Sequence, residues 1–514
     1  MSRINTNVAS LIAQRVLTQN NTSLVGALER LSTGLRINRG KDDPAGLIAS
    51  QGLRAEKASI GKAITNAERA DQVVNIAEGG LDEITGLLNE LQALTTETSN
   101  TQGLSTEEKK ANQLQIDSII QTIDRVASAT SFQGTKLLNG NFDYTTTNVH
   151  ANLNTFTVNG AKLGFHDTLD VDVVVTASAQ YGGFVLSLGN NNIDLATQNS
   201  QFVIEIAGAK GSRELSFASG TTLNSIIAAI NSFTDVTGVA ATISGSTAIR
   251  LESDKFGSDQ FVSVRVVNDG GVGGNGIYRF EASNTALADT VATPTTWTGA
   301  ANKITDFGQD VSATINGIVA TTRGTSARIN TDFLDVEVDL KSTGTGANAQ
   351  TLGAVTAFRI TGGGADFQLA GRVDIAGKVS LGISNVAVRN LGRNDLTVAG
   401  TDGTFYLSDL GSGKRLNLVD GDQGGAQAVV EKAIREVSSL RGRLGAFQKN
   451  TVGATIRSLS VALENTTAAE SVIRDADFAS ETAELTRSQI LVSSATQILT
   501  LANSQPQSAL QLLG

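Results

Sequence analysis

The sequence predicts an α+β protein in which both chain ends build a long antiparallel α-helical coiled-coil bundle, with a β-rich outer region inserted between them. Three observations carry that expectation. Ile60, Ala63, Ala67, Ala70, Val74, Ala77, Leu81, Ile84, Leu88 and Leu91 alternate three- and four-residue steps without a miss, which is a heptad seam on a helix. Val430, Ala433, Val437, Leu440, Leu444, Phe447, Thr451 and Ala454 repeat the spacing near the other end. From about Asn141 the texture between them changes to short β-type runs separated by Gly, Asn, Asp, Ser and Thr. At 1.5 Å of rise per residue the first seam is roughly 45 to 50 Å long, too narrow a stripe to bury itself, so the distal seam is its candidate partner.

Composition narrows the function classes. A chain of 514 residues is too long for one core and should form two to four domains of roughly 100 to 200 residues each. Aromatic residues are 4% of it, so its cores must be Ala, Val, Ile and Leu. With no cysteine there are no disulfides and no Cys-ligated metal sites, and His150 and His166 leave little for metal or acid-base work. A formal charge of -10 argues against a general nucleic-acid binder. Asn5, Asn7, Ser10 and Gln14 interrupt any apolar run that could serve as a cleaved secretory signal. No apolar run of roughly 18 residues is available for membrane insertion.

In chain order, residues 4 to 35 carry thin stripes, Ile4, Val8, Leu11 and then Leu17, Leu24, Leu28, Leu31, Leu35, diluted by polar residues. Ordering each residue costs about 1 to 2 kcal/mol, so such a segment is expected to be disordered alone. Asp43 suits an N-cap and Pro44 the first helical position. The long helix then runs to a polar turn near Thr95 to Gly103. Ser105 to Glu108 reads as a capping box for a second helix that buries Ile116, Ile120, Ile123 and Ala127. Leu169 to Val175, Phe184 to Leu188, Phe202 to Ile206, Phe261 to Val267 and Phe333 to Leu340 read as strands, and Leu223 to Ile230 as a short helix. A hairpin-like stretch follows at Phe367 to Val388, and heptads return from Ala426.

Residues 457 to 514 place Leu491, Ala495, Ile498 and Ala502 on one helical face. Residues 1 to 40 hold five arginines against Glu29, whereas 457 to 514 hold three arginines against six acids, so the two ends are suited to lie side by side. The expected divisions are residues 1–43 with 457–514 as a terminal helical region, 44–175 with 365–456 as a helical shaft with a β-hairpin, and 176–364 as the outer domain or domains.

Leu31-Ser32-Thr33-Gly34-Leu35-Arg36-Ile37-Asn38, Asp42-Asp43-Pro44-Ala45-Gly46, Ala77-Glu78-Gly79-Gly80-Leu81 and Ile123-Asp124-Arg125-Val126 resemble the N-terminal signature of bacterial flagellins. Ile473-Arg474-Asp475-Ala476-Asp477-Phe478-Ala479 and Ala502-Asn503-Ser504-Gln505-Pro506 through Leu513 resemble the flagellin C-terminus. Phe202 to Leu251 is similar to a smaller module inserted in flagellins and hook-associated proteins.

The resemblance implies a structural, non-enzymatic subunit of the bacterial flagellar filament for swimming motility. Its termini would be disordered when free and helical inside a helical homopolymer. It also implies secretion through the flagellar channel without a cleaved signal peptide, and, as partners, the flagellar export apparatus, a flagellin chaperone, the filament cap and the hook-junction proteins. No cofactor, nucleic acid or membrane insertion is implied. The expected inner-core assembly residues are Ile4, Val8, Leu11, Leu17, Leu24, Leu28, Leu31, Leu491, Ala495, Ile498 and Ala502. The expected shaft seam is Val74, Leu81, Ile84, Leu88, Leu91, Val437, Leu440, Leu444 and Phe447. Family members read by the host Toll-like receptor for flagellin carry an arginine and a glutamate where this chain has Leu87 and Gln115, which implies weak receptor signalling. A hook-filament junction protein shares these termini, and an adhesin-like role of the insert is a further alternative.

Four patterns invite other chemistry. Gly271 to Gly276 matches GxGxxG but lies between two strands with no helix following, so a glycine-rich hairpin loop is expected. Asp170 and Asp172 alternate with Val171 and Val173, as the wet face of a strand does. Trp297 reads as a loop or core aromatic, and the two histidines lack the i, i+4 spacing of a zinc protease.

Overall fold

A computed structural model describes residues 6–100, 103–164, 167–195, 200–281, 284–342, 349–398 and 401–511. The helices among them are α1 (Val8–Thr33), α2 (Pro44–Thr98), α3 (Thr106–Ala129), α4 (Leu223–Asn231), the single turn α5 (Thr234–Thr237), α6 (Gln423–Ala446), α7 (Gly453–Arg474) and α8 (Phe478–Gln511). Contacts divide the chain into one unit of residues 1–75, 367–378 and 442–514 and a second of residues 76–366 and 379–441. Strands and helices therefore segregate by chain position, with the β-rich region enclosed by helical ends.

In the first unit α1 and α8 run antiparallel. Asn7 Nδ2 donates to the Ala502 carbonyl at 2.8 Å, and Arg30 Nε to Glu481 Oε1 at 2.8 Å. Gly34 ends α1 in the left-handed conformation, φ 71°, which a side chain would strain. The chain then forms an antiparallel bridge, Leu35 opposite Asp475, with the Arg36 N–H donating to the Arg474 carbonyl at 2.7 Å. Asp43 accepts from the Gly46 N–H at 2.9 Å, and α2 begins at Pro44, so the cap and first position read from the sequence are both filled as expected. The hairpin-like stretch has its turn at 369–377, where the Leu369 N–H donates to the Gly377 carbonyl at 3.0 Å.

Between α6 and α7, residues Phe447–Val452 form a π-helix. The sequence reading continued the heptad through Phe447, Thr451 and Ala454. Instead Val452 is buried, Phe447 and Thr451 are half-buried, and Ala454 is exposed. A π turn closes its ladder one residue later than an α turn and so displaces the buried row by one position.

In the second unit α3 opens with the expected capping box: Ser105 Oγ accepts from the Glu108 N–H at 3.2 Å and Glu108 Oε2 from the Ser105 N–H at 2.7 Å. Its buried face is Ile116, Ile119, Ile123 and Ala127, with Ile120 only half-buried. Gln113 joins this helix to the returning chain, donating to the Leu410 carbonyl and accepting from the Leu418 N–H, each at 2.8 Å. Arg441 on α6 reaches Glu78 at 2.8 Å and Asp82 at 2.9 Å on α2.

The β-rich region holds two cores, each between a five-stranded and a four-stranded antiparallel sheet. In the module nearer the helices, Leu169–Ala177 lies at the centre of the order 318–319, 312–315, 169–177, 353–363, 144–147, and the facing sheet runs 321–323, 326–330, 334–340, 153–161. Val171, Val173, Phe358, Val336 and Val338 fill the space between. Residues 144–175, grouped by sequence with the helical shaft, thus share a core with 311–360, and the expected boundary at 175/176 falls inside one strand. In the distal module 183–187 is central to one sheet and 261–268 pairs 201–208 in the other. Phe184, Phe202, Ile226 of α4 and Trp297 are packed between them. The strands and the short helix expected here form where their alternation placed them.

Candidate assembly surface

The terminal pair is where packing and sequence hydrophobicity part company. The buried or half-buried row of α1 is Ser10, Ala13, Leu17, Asn20, Leu24, Ala27 and Leu31, and that of α8 is Glu481, Leu485, Ser488, Val492, Ala495, Leu499 and Ala502. Both rows step by three and four. They are rich in Ala, Ser and Asn, whose small side chains let the helices approach closely. Leu17, Leu24, Leu31, Leu485, Val492 and Leu499 share these rows, while other large apolar side chains point away: Leu11 is 58% exposed, Ile12 50%, Ile490 61%, Ile498 58% and Leu501 63%. Contiguous exposed apolar surface of this kind marks an interaction site.

The residues expected to assemble are therefore split between two faces. Leu17, Leu24, Leu31, Ala495 and Ala502 lie in the α1/α8 seam, whereas Val8, Leu11, Leu28, Leu491 and Ile498 face outward. Ile4 lies outside the described residues. The polar members of the seam were missed because a hydrophobicity count passes over Ser10, Asn20 and Ser488. The signal that finds them is spacing rather than polarity, since each sits at the three-or-four step between apolar neighbours.

Along α2 every residue of the first heptad, from Ile60 to Leu91, is buried, with Val74, Leu81, Ile84, Leu88 and Leu91 fully enclosed. On α6 Val437 and Leu444 are fully buried and Leu440 nearly so, while Phe447 packs its ring 6.0 Å from that of Phe367. Leu87 is half-buried, and the exposed Gln115 donates its amide to Glu90 at 3.1 Å.

The electrostatics are those of a scaffold. Asp170 is held below its ordinary value first by its hydrogen bonds from Arg359, whose Nε lies at 2.5 Å; Asp172 accepts from Thr356 at 2.7 Å. Both lie on the exposed face of their strand, as the alternation implied. Gly274 and Gly276 adopt left-handed φ of 100°, and a Cβ at Gly274 would lie 2.2 Å from the Ser187 carbonyl. The strands flanking this loop belong to different sheets, so it links two layers instead of closing the hairpin that sequence suggested. Trp297 is a core residue, edge-on to Phe202 with ring centres 5.4 Å apart. His150 accepts from the Asn152 N–H at 3.1 Å; His166 lies outside the described residues. Among the described residues no group of acidic or histidine side chains is placed to hold a metal ion, and no helix is long and apolar enough to cross a membrane.

Comparison with known proteins gives this surface a family. The N-terminal helical region of bacterial flagellin matches residues 4–143, the C-terminal helical region matches 427–513, and the flagellin hook IN motif matches 201–255. Flagellin B of Helicobacter pylori strain J99 is 27% identical over 541 residues, covering 99% of each chain. Flagellin of Salmonella typhimurium strain LT2 is 28% identical over 547 residues, again covering 99% of each. Of solved structures, FliC from Burkholderia pseudomallei aligns with 74% of this chain and 99% of its own, at 17% identity and a TM-score of 0.21. Its terminal helical regions and its end-to-end likeness to flagellins place the chain in the bacterial flagellin family.

Proposed function

We propose that this flagellin builds the flagellar filament by covering the outward apolar rows of α1 and α8 with neighbouring copies of itself. The observation that carries the reading is the set of large apolar side chains that the terminal pair leaves outside its seam, among them Leu11, Ile12, Ile490, Ile498 and Leu501. Covering one such Leu or Ile with a neighbour returns about 1.5–3 kcal/mol. Several per subunit add to the helices' own hydrogen bonds and seam against the cost of fixing two helices, so folding of the ends and polymerisation proceed together.

The same reading assigns Val74, Leu81, Ile84, Leu88, Leu91, Val437, Leu440, Leu444 and Phe447 to the rigid wall that presents these helices. The β-rich region faces water. As in the family, the subunit would leave the cell through the flagellar export apparatus with its N-terminus intact, handled by a flagellin chaperone and bounded in the filament by cap and hook-junction proteins.

Removing residues 476–514 tests the proposal. Seeded with filament fragments, the full chain should form long tubes visible by electron microscopy, and its first and last 40 or so residues should gain hydrogen-exchange protection. The truncated chain should keep its β-rich cores and remain monomeric. Tubes formed by the truncated chain would overturn the reading.

A further inference from the structure

The two β modules are joined by two adjacent crossings, 178–182 and 308–310, paired where Gln180 and Gln309 exchange N–H to carbonyl bonds of 2.8 and 3.0 Å. A cleft of about 490 Å³ opens beside this pair. Its position is fixed from both sides. Asp310 Oδ1 accepts from the Ser258 N–H at 3.0 Å, in the distal module, and from the Gly324 N–H at 2.6 Å, in the nearer one. Asp310 Oδ2 takes the Ser258 hydroxyl at 2.5 Å. Phe256, from the distal module, packs into the core of the nearer one and stacks on Tyr181 with ring centres 3.8 Å apart. Gly257 and Gly324 meet so closely that a Cβ on Gly257 would lie 3.0 Å from the Gly324 Cα. The cleft is therefore preformed, and binding there carries little ordering cost.

Its lining has a definite chemical character. Asp310 accepts three hydrogen bonds, and Arg323 Nε is tied to Asp259 at 2.9 Å. Tyr181, Lys255 and Gln260 also line the cleft, and their side-chain hydroxyl, ammonium and amide are hydrogen-bonded to no other described residue. These three groups offer a donor-acceptor, a pure donor and an amide with both functions. Asp254, which accepts from Lys210 at 2.9 Å, and Asp259 also line the cleft, each with a second carboxylate oxygen left to accept. Three carboxylates against Lys255, Arg323 and the Lys210 paired with Asp254 leave the cleft without net charge, which gives a charged ligand no advantage. The polar lining disfavours an apolar one, since ordinary small-molecule pockets of roughly 300–1,000 Å³ are mostly apolar. Hydroxyl groups each donate and accept, so a ligand bearing many of them in a compact ring matches this alternation.

We infer that the inter-module cleft binds a short, uncharged saccharide through Tyr181, Lys255 and Gln260. The site is independent of the assembly surface, because all its residues lie in the β-rich region. Weak individual sites gain from repetition: many copies displayed on one polymer engage a multivalent surface with an avidity about 10²–10⁴ times that of the single site.

Saturation-transfer NMR on the full-length monomer with maltose, cellobiose, lactose and chitobiose tests the inference. At least one disaccharide should show saturable transfer with a dissociation constant on the order of 1 mM. The double substitution Lys255→Ala with Gln260→Ala should weaken it at least about tenfold, equivalent to losing about 1.4 kcal/mol. Tyr181→Phe removes only the hydroxyl oxygen, keeps the stack on Phe256, and should weaken binding about threefold, which decides the matter even if the double variant misfolds. Inorganic phosphate should not compete. No transfer with any of the four sugars, binding unaltered by these substitutions, or competition by phosphate would each overturn the inference.

Discussion

The Arg30 guanidinium lies 2.8 Å from the Glu481 carboxylate, joining residues 451 positions apart across the α1/α8 pair. Both side chains are half-buried, at 32% and 15% exposure, so the pair is screened less than a surface ion pair. A double-mutant cycle with Arg30→Ala and Glu481→Ala should give a coupling of about 0.5–1.5 kcal/mol, read from thermal unfolding of filaments. Additive effects of the two substitutions would show that the contact contributes nothing.

Adjacent glycines on α2 should respond in opposite ways. A Cβ on Gly79 meets nothing within 4 Å, so Gly79→Ala should raise stability by about 0.5–1 kcal/mol by improving helix propensity. A Cβ on Gly80 would lie 2.6 Å from Thr130 Oγ1 and 2.9 Å from Leu138 Cδ1, and Gly80→Ala should lower stability by about 1–3 kcal/mol. Circular dichroism melts of the two variants check both signs at once.

Glu436 supplies a pH signature. Burial pushes its carboxyl above the ordinary value of 4.5, against the opposing hydrogen bond from the Gly392 N–H at 2.8 Å. A raised folded value means that its contribution is fully present below 4.5 and lost as pH rises through the folded value. Glu436→Gln keeps an acceptor for Gly392 and cannot ionise. The difference in stability between variant and wild type should therefore shift in favour of the variant as pH rises above 4.5, and a pH-independent difference would contradict the assignment.

Leu87 and Gln115 bear on host recognition. Neither supplies the guanidinium or carboxylate carried by flagellins that the Toll-like receptor reads, and charge-assisted bonds of that kind are worth about 1.5–3 kcal/mol each. Monomer applied to receptor-bearing cells should signal weakly. Leu87→Arg together with Gln115→Glu should increase the response, and strong signalling by the unaltered monomer at low concentration would refute this.

The helical scaffold was legible because its seams are long and periodic. Ten consecutive heptad positions from Ile60 to Leu91 are all buried, and the Ser105/Glu108 box and the Asp43–Pro44 start each rest on local hydrogen-bonding chemistry. The π turn at Phe447–Val452 was not legible, because the sequence there still satisfies three-four spacing and nothing local marks the extra residue. Nor was the division of the β-rich region. Alternation told which residues of 169–177 point inward, but not that their core partners come from 311–360. Pairings at such separations are set by which faces must be covered together. The terminal pair was read half correctly, since the apolar stripe was visible but not which of its members face the partner helix.

The outward apolar side chains of α1 and α8 make the thermodynamic identity of the subunit ambiguous. If neighbouring copies cover the outward Leu11, Ile12, Ile490, Ile498 and Leu501, as proposed, the helix pair should have no melting temperature of its own. By mass action its midpoint should climb with total protein, as for any structure completed by a second molecule. Measured dilute, the ends of this chain would look unstable. Measured concentrated, the same residues would look as firm as the seam from Ile60 to Leu91. Order at the termini is then in effect a reading of local protein concentration.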